Sequence, residues 1–422
     1  MRYVTHTLKN GLRIVLAPMP GTETATVIVM TGTGSRYENE HENGLAHFLE
    51  HMFFKGTKKR PSAKAVSEEL DGVGAQYNAY TSKDRTAYYA KVGSQFVDTA
   101  LDVISDIYLN STLPPKEIQK ERGAVVQEIG MYEDMPMRSV ADVFDALIFG
   151  THPLGRTVLG PKENILKFSR KEFEIYHKRN YVPSNTVVCV AGSFSEKKVL
   201  AAIQKSFGRL KEAAAPEYTG FAWNQHEPRV AVKEKKTDQT QLMIGVPAYP
   251  YGHRDEYALG VLTAILGSGM SSRLFSEIRE KRGLAYSVHA WVDKYPDVGY
   301  FVVQAGVEHG KLEKAVSTIV AEFKKIKRTQ VSGEELKKAK AYMKGTKTLS
   351  METSDEIAGS AAASLLTFGK IRTLEDYLKG VDRVTAADVQ RVARDIFRGE
   401  HLNLAVIGPH EKAEKLEGIL KI

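Results

Sequence analysis

The chain has 422 residues, of which 42% are hydrophobic and 26% are charged, a composition typical of a soluble globular protein with roughly two to four domains. The net charge of +8 does not predict a nucleic-acid partner, because Lys and Arg residues alternate with Asp and Glu residues along most of the chain. There is no apolar run of about 18 residues and no signal-peptide core near residue 1, so we expect no membrane association and a cytoplasmic location.

Hydrophobic periodicity predicts alternating strands and helices in the first third of the chain. In chain order these are strands at 11–17 and 24–30, a helix at 63–70, a strand pair at 76–90 with a turn at 82–85, a helix at 96–108 and a helix at 117–132 that begins near Pro115. The lone cysteine, Cys189, lies in an apolar run and predicts a buried strand residue. The basic stretch from Lys55 to Arg60 is typical of a solvated turn.

Residues 44–57 hold two His residues and one Glu residue within five positions of an apolar helical run. On a helix of about 3.6 residues per turn, His47, Glu50 and His51 share one face. Apolar residues on the other faces can anchor the helix in a core: Leu45, Leu49 and Met52. The spacing His-x-x-Glu-His is the inverzincin signature, in which both His residues bind zinc and the Glu activates water. The alternative is a solvated helix face with two incidental His residues.

The two halves of the chain resemble each other. Ala90-Lys-Val92 and the helical pattern after it have a counterpart in Ala305-Gly-Val307 and the pattern that follows, at an offset of 215 residues. Residues 115–120 match residues 333–338 at an offset of 218. The sequence therefore predicts two homologous domains of ordinary size.

These halves are separated by a segment that has neither the helical nor the strand period and that contains Pro and Gly. It predicts a linker at residues 213–228 between a catalytic, zinc-binding domain at 1–212 and a homologous domain at 229–422. The second half contains no His-x-x-Glu-His pattern, so we expect the metal chemistry in the first domain alone.

A catalytic zinc needs three protein ligands and an open position for water, so the two His residues require a further donor. The candidates on the helix at 117–132 are Glu117, Glu121 and Glu128. Two of these, Glu121 and Glu128, are two turns apart, about 10.5 Å along the axis, so at most one binds the metal. Glu128 lies in the more apolar stretch, where a carboxylate needs a partner. The positions matching Glu121 and Glu128 in the second half are Ala339 and Thr346.

His47-Phe-Leu-Glu50-His51, with Glu128 following 77 residues later, resembles the pitrilysin and insulinase metallopeptidases. The chain is most similar to the group that contains the mitochondrial processing peptidases and their bacterial relatives. The resemblance implies an α+β fold of two homologous domains, each a mixed, mostly antiparallel β-sheet with flanking helices. It assigns Glu128 as the third ligand of one Zn2+ per chain, and Glu121 as a support outside the ligand set.

Further motifs extend the resemblance over nearly the whole chain. Asn78-Ala79-Tyr-Thr resembles the edge strand that pairs with an extended substrate, and alone Asn78 could be an ordinary turn residue. Gly-Leu-Ala-Tyr286 and the preceding Arg279 resemble a second-domain signature whose Arg and Tyr reach toward the zinc. Without the resemblance, the pattern favours the interpretation of Tyr286 as a core aromatic residue and of Arg279 as a solvated helix residue.

The motifs together predict a zinc-dependent endopeptidase that cleaves peptides or unfolded segments, bound as an added β-strand between two closing domains. In this hypothesis Glu50 is the general base, and Tyr286, oriented by Arg279, stabilises the oxyanion. The resemblance to mitochondrial processing peptidases implies that acidic residues after the third ligand read a substrate Arg. Here residues 133–142 begin acidic but are interrupted by Met137 and Arg138, so we expect general oligopeptide cleavage rather than presequence recognition.

The resemblance also implies an assembly in which two chains enclose a chamber. We expect a homodimer, with a heterodimer of homologous chains as the alternative. Two other functions stay open at this point, because some members of the family have lost the metal site. These are a catalytically silent structural or partner subunit, and a peptide-binding chamber protein that keeps zinc for structure.

Overall fold

The computed structural model describes residues 1–411 and 414–421, which form two compact units. The first unit consists of Met1–Gly130, Arg156–Thr219 and Leu349–Thr373. The second unit consists of Met131–Gly155, Gly220–Thr348 and Leu374–Ile422. Each unit is built around one β-sheet.

The strands are, in chain order, β1 (Val4–Thr7), β2 (Arg13–Pro18), β3 (Thr24–Thr31), β4 (Gln76–Thr81), β5 (Thr86–Gly93), β6 (Thr186–Gly192), β7 (Arg229–Glu234), β8 (Thr240–Ala248), β9 (Ala285–Lys294), β10 (Gly299–Val307) and β11 (Asn403–Gly408). Within the described residues, the second sheet repeats the strand order of the first without a counterpart of β1. The first sheet has the order β1-β2-β6-β3-β5-β4, and the second has the order β7-β11-β8-β10-β9. One pair in each sheet is parallel, β2 with β6 and β7 with β11, and the other neighbours are antiparallel.

The α-helices are α1 (Leu45–Phe53), α2 (Ala63–Asp71), α3 (Val97–Asn110), α4 (Pro115–Glu133), α5 (Pro136–Phe149), α6 (Lys162–Lys167), α7 (Arg170–Asn180), α8 (Glu196–Phe207), α9 (Glu256–Gly267), α10 (Leu312–Arg328), α11 (Gly333–Leu349), α12 (Ser354–Phe368), α13 (Leu374–Arg383), α14 (Ala386–Ile396) and α15 (Glu414–Glu417). A π-helical segment at Phe275–Glu280 precedes β9. The mixed sheets with flanking helices confirm the predicted α+β class.

The predicted repeat corresponds to matching elements. The hairpin β4–β5 and the helices α3 and α4 have their counterparts in the hairpin β9–β10 and the helices α10 and α11. Consequently β4 and β9 occupy equivalent positions at one edge of their sheets. The helices predicted at 63–70, 96–108 and 117–132 are confirmed within two residues at their starts and ends by α2, α3 and α4.

Successive residues of a strand point to opposite faces of a sheet, and the first sheet buries both faces. Ile14 and Leu16 of β2 pack in a core with α1 and α3, whereas Val15 of the same strand packs against α12. Cys189 lies in this second core and is fully buried, as predicted from its apolar neighbours.

One helix of each half belongs to the unit built on the sheet of the other half. Helix α12 covers one face of the first sheet, and α5 covers one face of the second sheet, where Phe144 packs beside Tyr300. The compact units therefore do not coincide with the contiguous boundaries at 1–212, 213–228 and 229–422. The physical reason is that each of these helices buries its apolar stripe against the sheet of the other half.

The basic stretch from Lys55 to Arg60 is more than the predicted solvated turn, because its last residue is buried. Arg60 is 1% exposed and bonds to Asp106 at 2.7 Å and to Glu69 at 2.5 Å, with Asp102 as a further partner. A buried guanidinium needs such paired carboxylates, which the sequence pattern alone does not reveal. The prediction was wrong for this residue.

Glu38 and Gly44 fix the start of α1. The buried Glu38 carboxylate accepts hydrogen bonds from Gly44 N at 2.9 Å, Ala46 N at 2.6 Å and Asn43 Nδ2 at 3.1 Å. It thereby satisfies N–H groups that a helix start leaves without intrahelical partners. Gly44 has a φ of 100°, and a Cβ there would meet the carbonyl oxygen of Leu159 at 2.6 Å, so the position requires glycine.

We expect Glu38→Ala to lower the free energy of unfolding by about 3 kcal/mol, because three buried donors lose their acceptor. Urea unfolding followed by circular dichroism measures the change. Glu40→Ala, which removes an exposed carboxylate two residues away, is the control and should leave the curve unchanged. Equal midpoints for the two variants would contradict this role of Glu38.

Candidate metal centre

Three potential ligand atoms converge in the first unit. The Nε2 atoms of His47 and His51 are 3.3 Å apart, and Glu128 Oε2 lies 3.6 Å from the first and 3.5 Å from the second. Helix α1 presents the two imidazoles one turn apart, and α4 supplies the carboxylate. Among residues 1–411 and 414–421, these side chains form the one group of three or more His, Cys, Asp or Glu residues close enough to hold a metal ion.

The triangle matches the requirements of a zinc site. Tetrahedral ligands with bonds of about 2.0–2.1 Å lie about 3.4 Å from one another, which is close to the three separations observed. Two imidazoles and one carboxylate also form a known catalytic donor set that leaves a fourth position for water. His47, His51 and Glu128 therefore fit a catalytic zinc ion.

The other side of His51 is held by a carboxylate and a lysine. His51 Nδ1 lies 2.9 Å from Glu121 Oε1, and Glu121 Oε2 lies 2.6 Å from Lys55 Nζ. A ring nitrogen bound in this way fixes the imidazole orientation and directs Nε2 toward the metal position. Burial raises the pKa of Glu121, but its hydrogen bonds with His51 and Lys55 outweigh burial and lower it. Glu121 thus stays ionised.

The two imidazoles differ in proton affinity. Burial lowers the pKa of His47 to about 4, and repulsion from His51 acts in the same direction. Burial also acts to lower the pKa of His51, but its hydrogen bonds with Glu121 and Glu128 outweigh burial and raise that pKa to about 9. A proton on His51 therefore supplies the positive charge between the two carboxylates, and a metal ion bound there would displace it.

Glu50 lies on the same face of α1 as the two His residues. Its Oε2 accepts a hydrogen bond of 2.5 Å from the hydroxyl of Thr81, the last residue of β4. Burial raises the pKa of Glu50, and the hydrogen bond from Thr81 opposes this effect without cancelling it. A raised carboxyl pKa brings a base closer to the neutral range in which it can take up and release a proton.

The predicted substrate-binding residues, Asn78 and Ala79, lie on β4. In the described part of the chain, β4 pairs with β5 alone and forms an edge of the first sheet. The Asn78 side chain is exposed, and its Oδ1 accepts a hydrogen bond from Ala79 N at 2.9 Å. Ala79 itself is buried against the core that contains α1. This edge has the open backbone positions that strand addition requires.

Arg279 and Tyr286 lie in the second unit, on the π-helical segment and at the start of β9. The Arg279 guanidinium stacks on the ring of Tyr286 at 4.6 Å and on the ring of Phe275 at 4.9 Å. Tyr286 is 76% exposed, so it is not a core aromatic residue. The roles of both residues stay predictions.

Sequence reasoning missed two residues of this site, Thr81 and Lys55. Thr81 belongs to the recognised strand motif, but its partner Glu50 is 31 positions away in the chain. Lys55 belongs to a basic stretch, but it follows His51 by four positions and lies two residues after the end of α1. That spacing was the one signal that could have identified Lys55.

The chain matches two family models, and together they span most of it. Residues 13–162 match the model described as insulinase (peptidase family M16), and residues 167–343 match the model described as peptidase M16 inactive domain. Over 404 residues the chain is 36% identical to the uncharacterized zinc protease YmxG of Bacillus subtilis (strain 168), covering 96% of this chain and 98% of that relative.

Solved structures share the fold. A protease from Helicobacter pylori has a TM-score of 0.91 at 28% identity, covering 97% of this chain and 99% of the other. A Pseudomonas fluorescens structure described as a peptidase M16 inactive domain has a TM-score of 0.90 at 19% identity, covering 97% and 98%, which shows the fold alone. Separately, every helix in the described part of the chain is too short or too polar to span a bilayer.

We expect Glu128→Gln to lose zinc, because an amide is a poor ligand and two imidazoles leave the ion underligated. Zinc competition with a chromophoric chelator measures the change. Glu117→Gln, which removes another carboxylate from α4, is the matched control and should keep wild-type affinity. Retention of zinc by Glu128→Gln would mean that a different residue is the third ligand.

Proposed function

Because the chain belongs to the insulinase family, peptidase family M16, we propose that it is a zinc-dependent endopeptidase that cleaves peptides or unfolded segments. The observation that supports this most is the triangle of His47, His51 and Glu128 ligand atoms, 3.3 to 3.6 Å apart, beside the carboxylate of Glu50. A subunit that had lost catalysis would have no need to keep a base on the same helix face as the ligands.

The proposed chemistry is hydrolysis of a peptide bond. His47, His51 and Glu128 would hold the zinc ion, which when bound would supply Lewis acidity to polarise a carbonyl and to make an attacking water more acidic. Glu50 takes one proton from the attacking water while the water oxygen bonds to the carbonyl carbon. Glu50 then gives that proton to the amide nitrogen as the C–N bond breaks, so one water is added across the peptide bond.

We propose that substrates bind along β4. A peptide that pairs with this edge uses its backbone for most hydrogen bonds, which suits extended or unfolded segments of many sequences. Asn78 would have to release its contact with Ala79 N for that N–H to meet a substrate carbonyl. The substrate class is thus defined by extended backbone rather than by one side chain.

The second unit contributes Tyr286 and Arg279 in this proposal. Tyr286 donates a hydrogen bond to the developing oxyanion, and Arg279, whose guanidinium lies 4.6 Å from the Tyr286 ring centre, keeps the ring oriented. The family resemblance and that stacking contact support this assignment. It requires the two domains to close around the substrate.

We also propose a cytoplasmic homodimer, or a heterodimer with a homologous chain. The resemblance to two-domain processing peptidases supports it, and sedimentation velocity of the purified chain tests it.

Two rival functions have distinct signatures in one assay. A silent subunit would not cleave a quenched fluorescent peptide with or without zinc, and a peptide-binding chamber would bind that peptide and leave it intact.

We expect Glu50→Gln to bind zinc normally and to lower kcat by at least ~100-fold, because the proton acceptor is lost. The measurement is cleavage of a quenched fluorescent peptide by protein of verified zinc content. A chelator should abolish wild-type cleavage, and added zinc should restore it. Wild-type turnover in Glu50→Gln would rule out the proposed general base.

We expect Tyr286→Phe to lower kcat by roughly 100-fold without changing zinc content, because one oxyanion donor is lost. Tyr342→Phe, at another partly exposed tyrosine of the second unit, is the control. The same peptide assay measures both variants. An unaffected rate in Tyr286→Phe would remove the second unit's tyrosine from the mechanism.

A further inference from the structure

Thr81 joins the proposed general base to the strand on which substrates are proposed to pair. It is the last residue of β4, two positions after Ala79, and its hydroxyl donates to Glu50 Oε2 at 2.5 Å. Both residues are partly buried, and the Thr81 hydroxyl has this carboxylate as its partner across 31 positions of chain. This hydrogen bond therefore connects β4 to the face of α1 that carries Glu50.

Threonine is common in strands, so its presence at position 81 alone has no functional meaning. Its partner is what distinguishes it. Most exposed strand hydroxyls bond to water or backbone, whereas this one donates a charge-assisted hydrogen bond to a carboxylate. Thr5, on the opposite edge strand β1, is exposed and serves as the comparison.

A glutamate that transfers a proton twice must present the same oxygen in both steps. The Glu50 side chain has three rotatable bonds. Its carboxylate is attracted by His51 and repelled by Glu128. A donor fixed on one carboxylate oxygen leaves the other oxygen as the one available to water and to the leaving amine. The backbone of β4 holds that donor in place.

We propose that Thr81 is a positioning residue for the reaction: its hydroxyl holds Glu50 Oε2, so that Oε1 carries the proton, and it ties the alignment of the base to strand β4. The inference rests on the proposed function. It predicts that the hydroxyl, and not the methyl group, is what matters at this position. It also predicts that the effect acts on turnover rather than on zinc binding.

The test compares Thr81→Val, which keeps the shape but removes the donor, with Thr81→Ser, which keeps the donor. With zinc content verified, Thr81→Val should lower kcat about tenfold or more and change KM by less than about twofold. Thr81→Ser should keep kcat within about threefold of wild type. Thr5→Val is the matched control on the other edge strand and should have wild-type kinetics.

A double-mutant cycle with Glu50→Gln shows whether Thr81 acts through Glu50. In the Glu50→Gln background, Thr81→Val should cause no further loss of kcat. The proposal would be overturned if Thr81→Val lost zinc, kept wild-type kcat, or lost equally much kcat in both backgrounds. It would also be overturned if Thr81→Ser were as slow as Thr81→Val. If the wild-type protein cleaves no peptide, the proposed function itself fails; if it cleaves and Thr81→Val matches it, only the role of Thr81 fails.

Discussion

Three electron-donating atoms on His47, His51 and Glu128 lie within 3.6 Å of one another, and a positive charge between them is needed to keep them there. In water such groups would each be hydrated, whereas here they are partly or wholly buried against two helices. A proton on His51 can supply the charge, and a divalent ion supplies it with the geometry that all three atoms share. The rest of the first unit can be understood as the means of holding this triangle.

Several contacts within the first unit fix the positions of His47, His51 and Glu128. Glu38 satisfies the start of α1, and Phe48 of that helix packs edge-to-face with Phe173 at 4.9 Å, so α1 has little freedom to rotate. Helix α4 supplies both Glu128 and, two turns earlier, Glu121, which contacts the far side of the His51 ring. A single pair of helices thus provides the proposed ligands, their orientation and the base.

The sequence was informative where the signal is local. Periodicity located α1 and the hairpin β4–β5, and the spacing of His47, Glu50 and His51 placed them on one face. The sequence did not predict contacts between distant positions. The contact of Thr81 with Glu50 depends on where β4 lies against α1, and the contact of Lys55 with Glu121 depends on where α4 lies relative to the end of α1. The sequence also did not predict that α5 and α12 each pack on the sheet of the other half of the chain. An apolar helical stripe does not specify which of two similar sheets it covers.

Zinc K-edge X-ray absorption of the zinc-loaded wild-type protein tests the central claim most directly, since it reports the atoms bound to the metal. The account predicts one zinc per chain, with scattering from two imidazoles and from oxygen ligands at about 2.0–2.2 Å. A first shell that contains sulfur at about 2.3 Å, or one that lacks the pair of imidazoles, would contradict it.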